Sequence, residues 1–201
     1  MKQNKHLNEL LRQTGLPGTI RDAVYIAVPI SSGARLWALA REHNVVDVSK
    51  VRRRFVTDYE SKVLRPNLVD AERTAIQAGR LFPAKWIVNP AKVDVQGWSQ
   101  AQYRRAWKMF ISRFVGAIVA PSTWSYSQGC VDEVLHASRT GIPVFDISGN
   151  RLSMNHIQEE LERARGEARR KGLHVPFLGK IPKFQPRSDA PANGRKQLVS
   201  V

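Results

Sequence analysis

Four short apolar runs alternate with helical patterns along the chain, and this alternation restricts the possible folds more than any other feature. The runs are "AVYIAVPI" (23–30), "AKWIVNPA" (84–91), "VGAIVAPS" (115–122) and "IPVFDIS" (142–148), closed by Pro, Asn or Ser. Such continuous short runs suit strands buried on both faces, as in a parallel sheet. Helical periodicity fills the intervals at about 66–82, 98–114 and 128–140, with Pro66 near the first turn of the first and Ser99 placed to cap the second. The order β, α, β, α, β, α, β predicts right-handed crossovers. It also predicts an α/β fold with an open, mainly parallel sheet of four to five strands and flanking helices.

Three segments lie outside this pattern. Residues 1–21 read as an N-terminal helical extension to an α/β domain over 22–172. Residues 31–65, with "KVRRRFV", form a basic excursion in which one or two short helices are expected, because a structureless loop of that length is rare inside a domain. After Ser153, "MNHIQEELERARGEARRKG" is a charged helix with Ile157, Leu161 and Ala164 on one stripe, expected to pack on the sheet edge. Residues 173–201 are basic and contain several prolines, which predicts a disordered tail.

Composition narrows the partners. With 201 residues and 42% hydrophobic content the chain can build one full core, and 32 Lys+Arg against 17 Asp+Glu leave a formal charge of +15. Such an excess favours phosphate-bearing partners, and the clusters at Arg52, Arg53 and Arg54 and at Arg169, Arg170 and Lys171 predict weak nucleic-acid binding. No apolar run approaches the ~18 residues of a membrane helix, and the first residues have no signal-like apolar core, so a soluble, cytoplasmic protein with no membrane partner is expected. Cys130 is the only cysteine, and the five histidines include no His-x-x-x-His pair, so neither a disulfide within the chain nor a metal or other cofactor is expected. The stretch 98–114 carries Trp98, Tyr103, Trp107, Met109 and Phe110, more large apolar surface than one stripe requires, which predicts a homo-oligomer formed through that helix.

Ligands of open α/β sheets bind beyond the carboxyl ends of the strands, where helix N-termini offer free N–H groups. Residues 121–133 fall at such an end. Gly129 permits close approach to the backbone, Ser127 is placed to cap the helix, and the N–H groups near Gly129 and Cys130 suit a phosphate or hydroxyl. Glu133 reads as a first-turn carboxylate kept ionised by the helix dipole, worth ~0.3–1 kcal/mol, and able to act as nucleophile or electrostatic stabiliser at a sugar carbon. Acidic residues also occupy first turns for dipole reasons alone, so spacing by itself assigns no chemistry. Trp124 suits base stacking or plain packing, and Asn89 a sugar hydroxyl or an ordinary turn. Cys130 as nucleophile is disfavoured because His136, six positions on, lies well around the helix.

"VYIAVPI", "WIVNPA" and W-x-x-S-x-G-C-x-x-E from Trp124 to Glu133, followed by "ASRTGIPV", together resemble the nucleoside 2-deoxyribosyltransferase-like superfamily, above all its small phage and bacterial members. The resemblance runs over roughly 22–150 and implies a Rossmann- or flavodoxin-like fold. It implies Glu133 as the nucleophile at the anomeric carbon and Tyr25 as the residue that positions it. The candidate substrate-binding residues beside them are Ser127, Gly129, Cys130, Trp124, Asn89 and Pro29. Val28 stands where the family has a glycine, and the transferases' aspartates are replaced around Val115 and Gly116 and at Ser127. The implied activity is cleavage of a nucleoside or nucleotide N-glycosidic bond, or (deoxy)ribosyl transfer. The alternatives are a non-catalytic nucleotide-sensing or nucleic-acid-binding protein on the same fold, and an NAD hydrolase.

Overall fold

The computed structural model describes residues 2–17 and 22–181. Four parallel strands, β1 (Ala23–Ile26), β2 (Trp86–Val88), β3 (Val115–Val119) and β4 (Val144–Phe145), form one open sheet in the order β2-β1-β3-β4. The helices in chain order are α1 (Lys2–Thr14), α2 (Ala34–Glu42), α3 (Val51–Arg54), α4 (Val56–Tyr59), α5 (Arg65–Leu81), α6 (Gln100–Phe114), α7 (Gln128–Arg139), α8 (Met154–Arg170) and α9 (Pro176–Gly179). This is the α/β architecture the alternation predicts. Each strand is shorter than its apolar run: β1 and β3 begin with the run and stop before its end, whereas β2 and β4 are trimmed at both ends.

Period-two alternation sorts the strand side chains into two layers. Ala23, Tyr25 and Ala27 face the layer that holds Trp107, Phe110 and Ile111 of α6 and Val131 and Val134 of α7. Val24, Ile26 and Val28 face Ala71 and Ala78 of α5, whose small side chains let that helix sit close. No residue of β1 exceeds 1% exposure, which explains why its run is apolar without interruption. The edge strand β2 differs, with Trp86 43% exposed.

Helix α6 begins where the sequence indicates. Ser99 Oγ accepts from the Gln102 N–H at 3.3 Å, and Gln102 Oε1 accepts from the Ser99 N–H at 2.8 Å, a reciprocal capping box. Ser99→Ala is expected to destabilise the protein by about 0.5–2 kcal/mol, read as a lowered melting temperature. The aromatic surface of this helix is consumed inside the chain: Trp107 and Phe110 are buried, and Trp98, Tyr103 and Met109 pack against the same core. Leu7 and Leu10 of α1 are buried in that core too, and His6 stacks edge-on against Trp98 at 4.8 Å. The N-terminal segment is therefore part of the core layer, and the apolar excess on α6 no longer argues for an oligomer.

The excursion between β1 and β2 is helical throughout much of its length. A 3-10 turn at Val48–Lys50 leads into α3, and α4 continues through a π turn at Glu60–Leu64 into α5. The helix expected to start at Pro66 thus starts upstream, and the widened turn lies where Pro66 has no N–H to give to the ladder. Trp37 and Leu39 of α2, Val51, Tyr59 and Val63 form a separate core cluster with Ala164 and Ala168 of α8. Residues 173–181, expected to open a disordered tail, close this cluster instead. Leu178 is buried, Asp47 bridges to His174, and the Arg165 guanidinium donates to the carbonyls of Leu178 and Ile181. The rest of that expected tail, 182–201, lies outside the described residues. Among the described residues no helix is long and apolar enough to cross a membrane.

Candidate functional site

The strand order places β1 between β2 and β3, so the chain leaves β1 in one direction and returns on the other side of it. The direction of the connections reverses between β1 and β3, and the carboxyl edge at such a switch point is the usual ligand position in open α/β sheets. The loop after β1 is shaped by Gly33, whose φ is 96° and where an added Cβ would fall 2.8 Å from Pro29 Cβ. Only glycine fits there. Pro29 is itself buried, so it packs behind the loop and does not line an open pocket. At this edge Ser32 Oγ and Ser127 Oγ share a hydrogen bond of 2.9 Å that ties the loops after β1 and β3 together.

Beneath this tie, the Tyr25 hydroxyl donates to Glu133 Oε1 at 2.8 Å. Tyr25 is fully buried, and its ring lies 5.2 Å from that of Trp107. Glu133 occupies the sixth position of α7, in the second turn, with Ser127 as the N-cap. The helix has no acidic residue in its first turn, so the dipole holds Glu133 more weakly than the sequence suggested. The expected ionised state is corrected as well. Burial pushes the Glu133 carboxyl up to about 8, opposed by the Tyr25 hydrogen bond and the charge of Lys108 and reinforced by Asp132. Burial also lifts the Tyr25 phenol well above its usual range, with the Glu133 charge adding to it, so Tyr25 stays a proton donor in the pair.

The other residues named from the sequence divide. Ser127 is the N-cap of α7, yet its side chain makes no cap bond and is turned to Ser32. Gly129, second in the helix, is open: an added Cβ would meet nothing nearer than Ser127 Oγ at 4.0 Å. Cys130 is buried 2% exposed on the same helix face, and burial raises its thiol, which makes it a packing residue with no thiolate. Trp124 is 1% exposed within the main core, so its ring has no free face for a base. Asn89 is buried at the carboxyl end of β2, where Oδ1 accepts from the Ala91 N–H at 2.9 Å. Its Nδ2, like Ser125 Oγ, is buried with no partner among the described residues.

Sequence reasoning missed Ser32 and the contributors from α6. Arg104, Arg105 and Lys108 line a groove of about 540 Å³ with Met109 and Asp132, and Lys108 lies close enough to act on Glu133. A second cleft of about 310 Å³ lies beside β2 and includes Asn89. Neither is lined by Tyr25 or Glu133. The arginine run and the lysine on α6 signal charge, but their convergence on Asp132 depends on how α6 meets α7, which periodicity does not reveal. Away from the Tyr25–Glu133 pair, Glu42, His43 and Asp58 bring ligand-type atoms within 4.8 Å of one another. His43 Nε2 lies 2.8 Å from Asp58 Oδ2, and the Lys62 ammonium bonds both Glu42 and Asp58, so the cluster already has an internal cation.

Comparison with protein-family models, curated proteins and solved structures gave no match.

Proposed function

We propose that this chain cleaves, or transfers the sugar of, the N-glycosidic bond of a nucleoside or nucleotide, as a member of the nucleoside 2-deoxyribosyltransferase-like superfamily. The observation that carries the reading is the 2.8 Å hydrogen bond between Tyr25 and Glu133, residues 108 positions apart that the motifs name as positioner and nucleophile. Ionised Glu133 attacks the anomeric carbon as the bond to the base breaks. The base leaves with the bonding electrons and takes a proton from solvent, and a sugar ester remains on Glu133. Water, losing a proton, or a second base then takes the sugar and frees the carboxylate. Lys108, whose charge acts on Glu133, shares its groove with Arg104 and Arg105, and this cationic charge beside the pair favours a phosphate-bearing substrate. Incubation with nucleosides, 5′-nucleotides and NAD, with free base separated by chromatography, is expected to show base release from at least one of the first two classes. Release from none of them removes the reading, and release from NAD alone transfers it to dinucleotide hydrolysis.

A second reading, a non-catalytic nucleic-acid binder on this fold, draws on Arg52, Arg53 and Arg54, all exposed on α3. It predicts an oligonucleotide affinity that falls steeply between about 50 and 200 mM salt. Replacement of the three arginines by alanine is expected to flatten that slope, and an unchanged slope excludes this segment.

A further inference from the structure

β2 is three residues long and stands at the edge of the sheet, so among the described residues no strand covers its outer side. The end of α1 and the middle of α5 rise on either side of this edge and leave a cleft of about 310 Å³ between them. Its walls are Thr14, Ala75 and Ile76, its floor is Ile87 and Val88, and Asn89 stands at the carboxyl end. Two features single it out. The space is roughly ten times the ~30 Å³ share of one liquid water. Asn89, only 7% exposed, contributes a buried Nδ2 that has no acceptor among the described residues. The orientation of that amide is fixed, because Oδ1 caps the 3-10 turn Pro90–Lys92 through Ala91. Nδ2 is therefore the polar atom that Asn89 has left to offer the cleft.

We infer that this edge cleft is a second ligand site, separate from the Tyr25–Glu133 pair, for an uncharged heterocyclic amide or lactam. An acceptor on the ligand, a carbonyl oxygen or ring nitrogen, takes the Asn89 Nδ2 hydrogen bond, and the apolar body lies between Ile76 and Ile87. Charge selects against an anion despite the basic excess of the chain, since the Lys92 ammonium at the cleft is neutralised by Glu72 Oε1 at 3.2 Å. Half of the lining is aliphatic, Ala75, Ile76, Ile87, Val88 and Val93, and with one buried amide donor beside it and the Lys92 charge already paired, the slot suits a flat neutral molecule better than a sugar phosphate.

The test is an NMR titration of the labelled protein with 2-pyridone, uracil and nicotinamide in turn, following the Asn89 side-chain NH₂ and the backbone amides of 13–14, 75–76 and 87–89. At least one probe is expected to shift these signals saturably. Asn89→Asp keeps the acceptor for Ala91 and removes the donor, so it is expected to weaken that probe by ~10-fold or more. Ile76 is 57% exposed, and Ile76→Glu is expected to weaken the probe without disturbing the fold, which keeps the test decisive if Asn89→Asp does not fold. Glu133→Gln is expected to bind the probe as the unaltered protein does. No saturable shift with any of the three probes means that water alone fills the cleft and overturns the inference. Unchanged affinity in the Asn89 or Ile76 variant overturns it too, and loss of binding in Glu133→Gln removes the separateness of the site.

Discussion

Glu133→Gln is expected to abolish base release, by on the order of 10³-fold or more, and at the same time to raise the melting temperature at alkaline pH. The two effects share one cause. Burial holds the folded-state carboxyl at about 8 against an ordinary value of 4.5. Between those values the unfolded chain releases a proton that the folded chain keeps, so the stability of the unaltered protein falls as pH rises through that window. Glutamine has no proton to release and preserves the acceptor for Tyr25, so its melting temperature carries no such slope. The variant should therefore match the parent near pH 4 and exceed it above pH 8, by roughly 2–4 °C for each kcal/mol recovered in a chain of this size. Thermal melts across the pH range read the stability, and chromatography of free base reads the activity. A variant that melts lower than the parent at alkaline pH would show that Glu133 is a stabilising ion, and a folded variant that releases base at the parent rate would remove it from the chemistry.

The parts of this molecule legible in the sequence are those set by local periodicity. The apolar runs locate all four strands, most clearly β1, where burial on both faces leaves no polar interruption from Ala23 to Ile26. Ser99 and Gln102 mark the start of α6 because a capping box is a contact between residues three apart. The pair at the centre of the site was legible only through a motif, since Tyr25 and Glu133 meet across the sheet layer and nothing local links them. Its protonation was misread for a related reason. A helix position indicates the dipole, worth ~0.3–1 kcal/mol, but not the desolvation that overrides it. Trp124 shows the same limit, because stacking and core packing require the same side chain and only burial separates them. The Ser32–Ser127 tie joins two loops 95 positions apart, and no sequence rule pairs two serines at that range.

Tyr25→Phe separates a catalytic setting of Glu133 from a merely structural one. The phenol hydrogen bond lowers the carboxyl, working against burial, so its removal should move the Glu133 value above about 8. The phenol itself stays protonated throughout, because its own value is raised well above the usual 10. If the ionised carboxylate is the nucleophile, kcat/KM rises with pH and levels off above the carboxyl value, since that ratio reports the free enzyme. In the unaltered protein the rise should be centred near pH 8, and in Tyr25→Phe it should move to higher pH. At pH 7 each unit of that displacement lowers the ionised fraction about tenfold, so the variant is expected to be slower by roughly 10-fold or more there. The difference should narrow as the pH climbs past the shifted value, because both proteins then carry the same carboxylate. A phenylalanine that only loosens packing around Trp107 would instead lower the rate by one factor at every pH. Parallel pH profiles for the two proteins would therefore reduce Tyr25 to a packing residue, while a displaced profile would mean that its hydroxyl sets the charge on Glu133.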